Sequence, residues 1–195
     1  MKYWFSNHVF YYKFVMKKVF MKKTIFLIGY MGSGKSVIGK ELSKRILYTF
    51  YDLDYFIEMN EKLSINQIFD QKKELYFREI EKKYLKMLID KDENKIISLG
   101  GGTPCYDNNM DLILNTSNSE SIYLNRSVDL LVERLFKNLT SRPLISHLKN
   151  RNELKEFVSK HLFERNQYYL RSKKILNTNN LELDDVMEEL KKLLG

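Results

Sequence analysis

The sequence lacks most of what marks a secreted, membrane-spanning or low-complexity chain. Its 195 residues hold one cysteine, Cys105, which excludes an internal disulfide and fits a reducing compartment, hence a cytoplasmic protein. That thiol reads as a small, half-apolar filler. There are only two prolines, Pro104 and Pro143, no Pro- or Ser-rich linker and no internal repeat. No stretch approaches the roughly 18 consecutive apolar residues that a membrane-spanning helix needs, so no membrane partner is expected. The first 40 residues contain no Asp or Glu.

That last absence accounts for much of the formal charge of +8. A basic balance invites a nucleic-acid reading. From Glu41 onward, however, the Lys-rich stretches alternate with acids, which is the pattern of solvated helix faces, and no nucleic-acid partner is expected. Hydrophobic residues make up 44% and charged residues 30%, ordinary for one folded domain of this length. Residues 1–22 differ from the rest: aromatic and Lys-rich, without caps or a clean period. They lack the Arg and Ser content of a transit peptide, and Lys13, Lys17 and Lys18 interrupt any secretory core. They read as a disordered extension or as the product of a start placed upstream of Met21, with a surface-binding basic arm as the sharper alternative. Residues 23–195 form the expected domain.

Within that domain strand and helix patterns alternate, which points to an α/β fold with a five-stranded parallel sheet covered by helices on both faces. The expected strands are Thr24–Ile28, about Thr49–Leu53, Lys95–Leu99, Ser121–Leu124 and Lys174–Leu176. Lys35–Ile46 reads as a helix with Val37, Ile38, Leu42 and Ile46 on one side. Ser64 and Gln67 form a capping box that opens a short helix. Further helices are expected over about Lys72–Asp90, Val128–Lys137, Glu153–Leu170 and Leu183–Leu194. Residues 138–150 have weak periodicity and read as a mobile lid.

Three motifs carry chemistry. Gly29-Tyr30-Met31-Gly32-Ser33-Gly34-Lys35-Ser36 matches G-x-x-x-x-G-K-[ST] between a predicted strand and a predicted helix, the context a phosphate-binding P-loop requires. Its glycines turn backbone N–H groups toward phosphate oxygens, and the helix N-terminus adds a favourable dipole. Lys35 is expected to reach the β- and γ-phosphates of ATP, and the Ser36 hydroxyl to ligate Mg²⁺. The second motif is Asp52-Leu53-Asp54. As the end of a strand it sends both carboxylates to one face, toward the P-loop, one for hydrated Mg²⁺ and one for an acceptor hydroxyl; a solvated turn is the alternative. The third is Gly100-Gly101-Gly102 after a strand, either the floor of a ligand crevice or a flexible loop. Three arginines, Arg78, Arg142 and Arg165, carry the bidentate fork that reads carboxylates and phosphates. Singly, each is equally at home in a surface ion pair, and Arg78 has Glu81 at i+3.

With these in order, the chain from about Lys23 onward resembles the shikimate kinases. The segments that carry the likeness are LIGYMGSGKSVIGK, FYDLD, FREIE, SLGGG, and SRPLI followed by FERNQYY. The resemblance implies a P-loop kinase fold, with transfer of the ATP γ-phosphoryl group to the 3-hydroxyl of shikimate, in the route to aromatic amino acids. It implies that Gly29, Gly32, Ser33, Gly34, Lys35, Ser36 and Val37 hold ATP, with Arg134 near the adenine and phosphates. Asp54 would contact the acceptor hydroxyl, and Ser36 and Asp52 would serve the metal, with Ser98 near its waters. Arg78 and Arg165 would clamp the substrate carboxylate, and Gly100, Gly101 and Gly102 would line its pocket beside Phe69 and Phe77. Arg142 would swing in from the lid and, with Lys35 and Asp54, form the catalytic set. No apolar run ending in Asp stands at Ile96–Leu99, so a Walker B carboxylate is missing there. A monomer is expected. The alternatives are a related small-molecule kinase acting on gluconate, which shares the P-loop but does not need Asp52-Leu53-Asp54, the glycine run and the carboxylate-reading arginines together, and a non-catalytic regulatory relative, in which Lys35, Asp54 or an arginine should be lost.

Overall fold

In the computed structural model of the chain, which describes residues 22–137, 139 and 144–195, the apolar run Thr24–Ile28 (β1) is the middle strand, buried along its whole length. A strand sends alternate side chains to opposite faces, and β1 divides its residues that way. Phe26 and Ile28 enter one hydrophobic cluster, Ile25 and Leu27 the other. Helices cover both faces, which explains why β1 is a continuous apolar run with no polar alternation.

The other strands are Thr49–Asp52 (β2), Lys95–Ser98 (β3), Ser119–Asn125 (β4) and Lys174–Asn177 (β5). All pairs are parallel, and the spatial order is β2-β3-β1-β4-β5. Parallel neighbours require crossovers, and among the described residues six α-helices supply them, Lys35–Ile46 (α1), Leu53–Glu61 (α2), Ile65–Ile89 (α3), Asn109–Asn115 (α4), Val128–Phe136 (α5) and Arg151–Tyr169 (α6), while a seventh, Leu183–Leu194 (α7), follows β5. Ile38 and Leu42 of α1 pack with Val186, Met187 and Leu190 of α7 on one face. Helices α2 to α6 bury their apolar stripes on the other.

The α/β class, the five parallel strands and their order along the chain agree with the sequence. Helices α1 and α7 have the expected bounds, and Ser64 and Gln67 form the expected capping box. One expectation needs correction. Strand β2 ends at Asp52, and α2 begins at Leu53, so Asp54 stands on the first turn of a helix rather than on a strand. Asp52 is the N-cap of that helix and accepts from Tyr55 N at 3.4 Å. The short helix opened by Ser64 and the helix expected from about Lys72 are both present within Ile65–Ile89, separated at Lys73 by its φ of 71° and ψ of 170°. Neither α2 nor α4 was expected.

Residues 1–21, 138 and 140–143 lie outside the described residues, so Arg142, much of the expected lid and nearly all of the N-terminal extension do too. Residues 144–148 make a turn region anchored by Ile145, which belongs to the larger core cluster. No described helix is long and apolar enough to cross a membrane.

Candidate active site

All five strands end on one edge of the sheet, and the chemistry-bearing residues follow those ends. This is where an open parallel sheet binds ligands. The register sets Leu27, Ser98 and Asp52 side by side. The chain then leaves β1 into the P-loop, β2 into Asp54, β3 into the glycine run and β4 into Arg126.

The P-loop turns on left-handed backbone at Gly32 (φ 82°) and Gly34 (φ 100°), conformations that cost a side-chain-bearing residue about 1–2 kcal/mol. Gly34 is the N-cap of α1 and makes no side-chain capping bond. The first-turn N–H groups of α1 are the natural donors to an anion. Lys35 Nζ arches back over the loop and donates to the carbonyls of Gly29 at 2.8 Å and Tyr30 at 3.0 Å. Ser36 Oγ donates to Asp52 Oδ2 at 2.6 Å. Gly32, Gly34, Lys35, Ser36 and Asp52 line a cleft of about 630 Å³ that also takes in Val37, Asp54, Ser98, Gly101, Arg126 and Arg134.

Asp54 sits at one end of this cleft, where burial raises its pKa to about 7. The charges of Asp52, Glu81 and Glu58 add to the shift, and Lys35 opposes it. A carboxyl poised near neutrality is suited to exchange a proton with a hydroxyl.

The glycine run is needed for space. A Cβ on Gly100 would stand 2.8 Å from Asp54 Oδ1 and 2.9 Å from Thr103 Oγ1. One on Gly102 would meet the Arg78 guanidinium at 3.1 Å, and one on Gly101 would meet Arg165 Nη1 at 3.4 Å. Asp54, Arg78 and Arg165, from three different helices, therefore converge on one bare stretch of backbone. Arg78 and Arg165 do not line the cleft itself; they stand over the glycines at its end. Tyr169 fixes the run from behind by donating to Gly101 O at 2.5 Å.

Arg78 is itself enclosed. Its Nη1 donates to Glu81 Oε2 at 2.9 Å, the pair foreseen at i+3, and Nε and Nη2 reach Glu74 Oε1 at 3.3 and 3.2 Å. The Tyr106 ring lies 3.5 Å from the guanidinium carbon, the Phe77 ring 5.0 Å. Phe69 packs on Phe77 with ring centroids 4.6 Å apart. Arg165 lies 5.6 Å from the Tyr30 ring. Arg134 Nη1 donates to Gly32 O at 3.4 Å on the P-loop side.

Sequence reasoning missed Glu81 as a site residue, along with Thr103, Tyr106, Glu74 and Arg126. Glu81 carried a signal, since an acid one turn after a clamp arginine can brace it. Arg126 carried one too: it directly follows an apolar strand, as the P-loop follows β1.

Hard oxygen donors meet at Ser36 and Asp52. No group of three or more His, Cys, Asp or Glu side chains suited to a metal occurs among the described residues. That combination fits Mg²⁺, which keeps most of its waters and takes its remaining ligands from substrate phosphates. It does not fit a dedicated all-protein metal cage.

The family model for shikimate kinase matches residues 31–194. A shikimate kinase of Flavobacterium psychrophilum is 46% identical over 172 residues, covering 88% of this chain and 99% of the relative. One from Flavobacterium johnsoniae is 44% identical over 171 residues, covering 88% and 98%. Among solved structures, shikimate kinase from Bacteroides thetaiotaomicron superposes with a TM-score of 0.82 at 33% identity, covering 88% of this chain and 97% of that one. The Acinetobacter baumannii enzyme, solved in complex with shikimate, gives 0.79 at 25% identity, covering 91% and 96%. With a P-loop, an acid pair and a glycine run on one sheet edge, and with this depth of likeness, the chain belongs to the shikimate kinase family.

Proposed function

We propose that the chain transfers the γ-phosphoryl group of ATP to the 3-hydroxyl of shikimate, giving ADP and shikimate 3-phosphate. The observation that carries this reading is the convergence of Asp54, Arg78 and Arg165 on Gly100–Gly102, next to the P-loop. A cyclic polyol that bears one carboxylate matches it: two arginine forks for the carboxylate, one aspartate for the hydroxyls. A gluconate-type acceptor has no ring to lie beside Phe69 and Phe77.

The geometry supports a role for each described residue. The N–H groups around Gly32, Ser33, Gly34 and Lys35 cradle the phosphates, and Lys35 moves its ammonium from the loop carbonyls to the β- and γ-oxygens. Ser36 and Asp52 would hold Mg²⁺, which neutralises charge on those oxygens when bound. Arg78 and Arg165 orient the substrate so that its hydroxyl oxygen meets the γ-phosphorus in line. Asp54 accepts the hydroxyl proton as the new P–O bond forms and the bond to the ADP oxygen breaks. Phosphoryl transfer needs little covalent help, so positioning and charge neutralisation lower the barrier. Arg142 adds positive charge at the transferring group, and residues 138–150 exclude water that would otherwise accept it. The domain of residues 23–195 acts as a cytoplasmic monomer, with ATP and shikimate as its partners.

Coupled ADP release with Mg-ATP tests the proposal, with shikimate against gluconate and nucleoside monophosphates. Turnover with shikimate alone, lost on chelation of Mg²⁺, is expected. ATP binding without turnover on any acceptor would leave a regulatory relative in its place.

A further inference from the structure

We propose that His161 is a positioning residue for the substrate clamp: it fixes the Tyr30 ring of the P-loop, and that ring in turn orients Arg165. This rests on the reading that Arg165 binds the substrate carboxylate. The two clamp arginines are held by different means. Arg78 is paired with Glu74 and Glu81, whereas Arg165 has no ion-pair partner among the described residues. Its neighbours are Gly101, where an added Cβ would stand 3.4 Å from Nη1, the Tyr169 hydroxyl, and the Tyr30 ring, whose centroid lies 5.6 Å from the guanidinium carbon. A guanidinium without a carboxylate beside it takes its orientation from the aromatic surface that it rests on.

That surface is itself held from α6. Tyr30 is only 1% exposed, so its hydroxyl needs a protein partner, and His161 Nδ1 supplies it at 3.3 Å. Burial raises the pKa of the phenol, and burial together with the Arg165 charge lowers that of the imidazole. A protonated phenol therefore meets a neutral ring: Tyr30 donates and Nδ1 accepts. Phe157 packs on the imidazole with ring centroids 4.7 Å apart, and His147 meets Phe157 edge-on at 6.4 Å. His161 and Arg165 are four residues apart on α6 and so share one face of it. The helix thus grips Tyr30 twice, at the hydroxyl through His161 and at the ring through Arg165. The hydroxyl bond sets the tilt of the ring, and the ring sets where Arg165 rests. The main chain of Tyr30 serves the other ligand, since its carbonyl accepts from Lys35 Nζ at 3.0 Å.

The test is a double-mutant cycle read by steady-state kinetics of the full chain. H161L and Y30F are each expected to raise the KM for shikimate about fivefold, with kcat and the KM for ATP changed less than about twofold. H161N, whose amide can stand where Nδ1 does, is expected to restore the KM for shikimate. In an R165M background H161L is expected to add less than about twofold, because the group that it positions is gone. Y30F, which removes a single oxygen, carries the same cycle if H161L does not fold. A full loss that persists in the R165M background would make His161 a brace of the fold, and an equal rise in the KM for ATP would make it a brace of the P-loop; either overturns the inference. So does a KM for shikimate that neither H161L nor Y30F moves. Failure of the unsubstituted chain to turn over shikimate would overturn the proposed function as well, whereas additive losses in a chain that does turn it over would overturn the role of His161 alone.

Discussion

Glu81 braces Arg78 from the core side: the carboxylate is 1% exposed, and its Oε2 accepts from Arg78 Nη1 at 2.9 Å while Oε1 accepts from Thr103 Oγ1 at 2.6 Å. Nothing about Arg78 alone would hold a five-donor fork in one orientation before substrate arrives. Glu81 fixes one edge, Glu74 the other, and the Tyr106 ring one face. The clamp is therefore preorganised, which lowers the entropy lost on binding.

Removing the brace should appear in binding and in pH dependence together. For Glu81→Gln, the KM for shikimate is expected to rise about tenfold with the KM for ATP little changed. Because the Glu81 charge helps raise the Asp54 pKa, the acidic limb of kcat/KM should also move to lower pH. Glu81→Ala leaves Arg78 half-buried without its core partner and should cost about 3 kcal/mol of stability by thermal melting.

Gly100 should tolerate no side chain. In Gly100→Ala the added carbon would meet Asp54 Oδ1 at 2.8 Å and Thr103 Oγ1 at 2.9 Å, both short of any real Cβ contact. Asp54 must move, and a displacement near 1 Å at a reacting group costs roughly 10²-fold in rate. Steady-state kinetics should show that loss in kcat for shikimate phosphorylation, with ADP affinity retained because the carbon added at Gly100 meets Asp54 and Thr103 and not the P-loop.

The P-loop was legible because its spacing encodes backbone shape directly, and helix α1 was legible because the same lysine and serine open an apolar period ending at Ile46. The glycine run was legible as a need; its reason, three side chains crowding the same backbone, belongs to residues 24 to 64 positions away in sequence. The strand reading of Asp52-Leu53-Asp54 failed at a boundary. A period of two and the opening of a helix look alike over three residues, and the decisive sign was the capability of Asp52 to cap Tyr55 N. Arg126 was marked only by its place after an apolar strand, and only the folded sheet shows that it is buried. Lys73 was silent, since nothing in a lysine announces a positive φ.

That lysine gives a stability prediction. Its φ of 71° with ψ of 170° lies in a region that glycine alone occupies at ease, and such residues store about 1–3 kcal/mol of strain. The break turns the chain so that Glu74, Phe77, Arg78 and Glu81 follow on one helix toward the site. Lys73→Gly keeps the break and releases the strain, less the entropy that glycine loses on folding. A net gain of about 1 kcal/mol is expected, seen as a rise of about 2–4 °C in Tm for a chain of this size, with kcat unchanged.

Asp54 yields the sharpest prediction, because catalysis and stability move in opposite directions through the same proton. Burial lifts its pKa from 3.8 to about 7. As a base, it works when deprotonated, so kcat/KM for shikimate should rise with pH through about 7 and level off above. For stability the sign reverses. Between pH 4 and 7 the folded state holds a proton that the unfolded state has released, so stability falls as pH rises through that window. Above it the ionised, buried carboxylate costs on the order of 2–4 kcal/mol. Asp54→Asn removes both dependences. It should abolish phosphoryl transfer while binding ADP about as well as the unsubstituted chain, and it should melt higher than that chain at pH 8, with the difference vanishing near pH 4. A variant that kept most of its activity would remove Asp54 from the proton's path. One that lost activity but melted no higher at pH 8 would leave the proton transfer standing and show that the carboxyl titrates near its ordinary value.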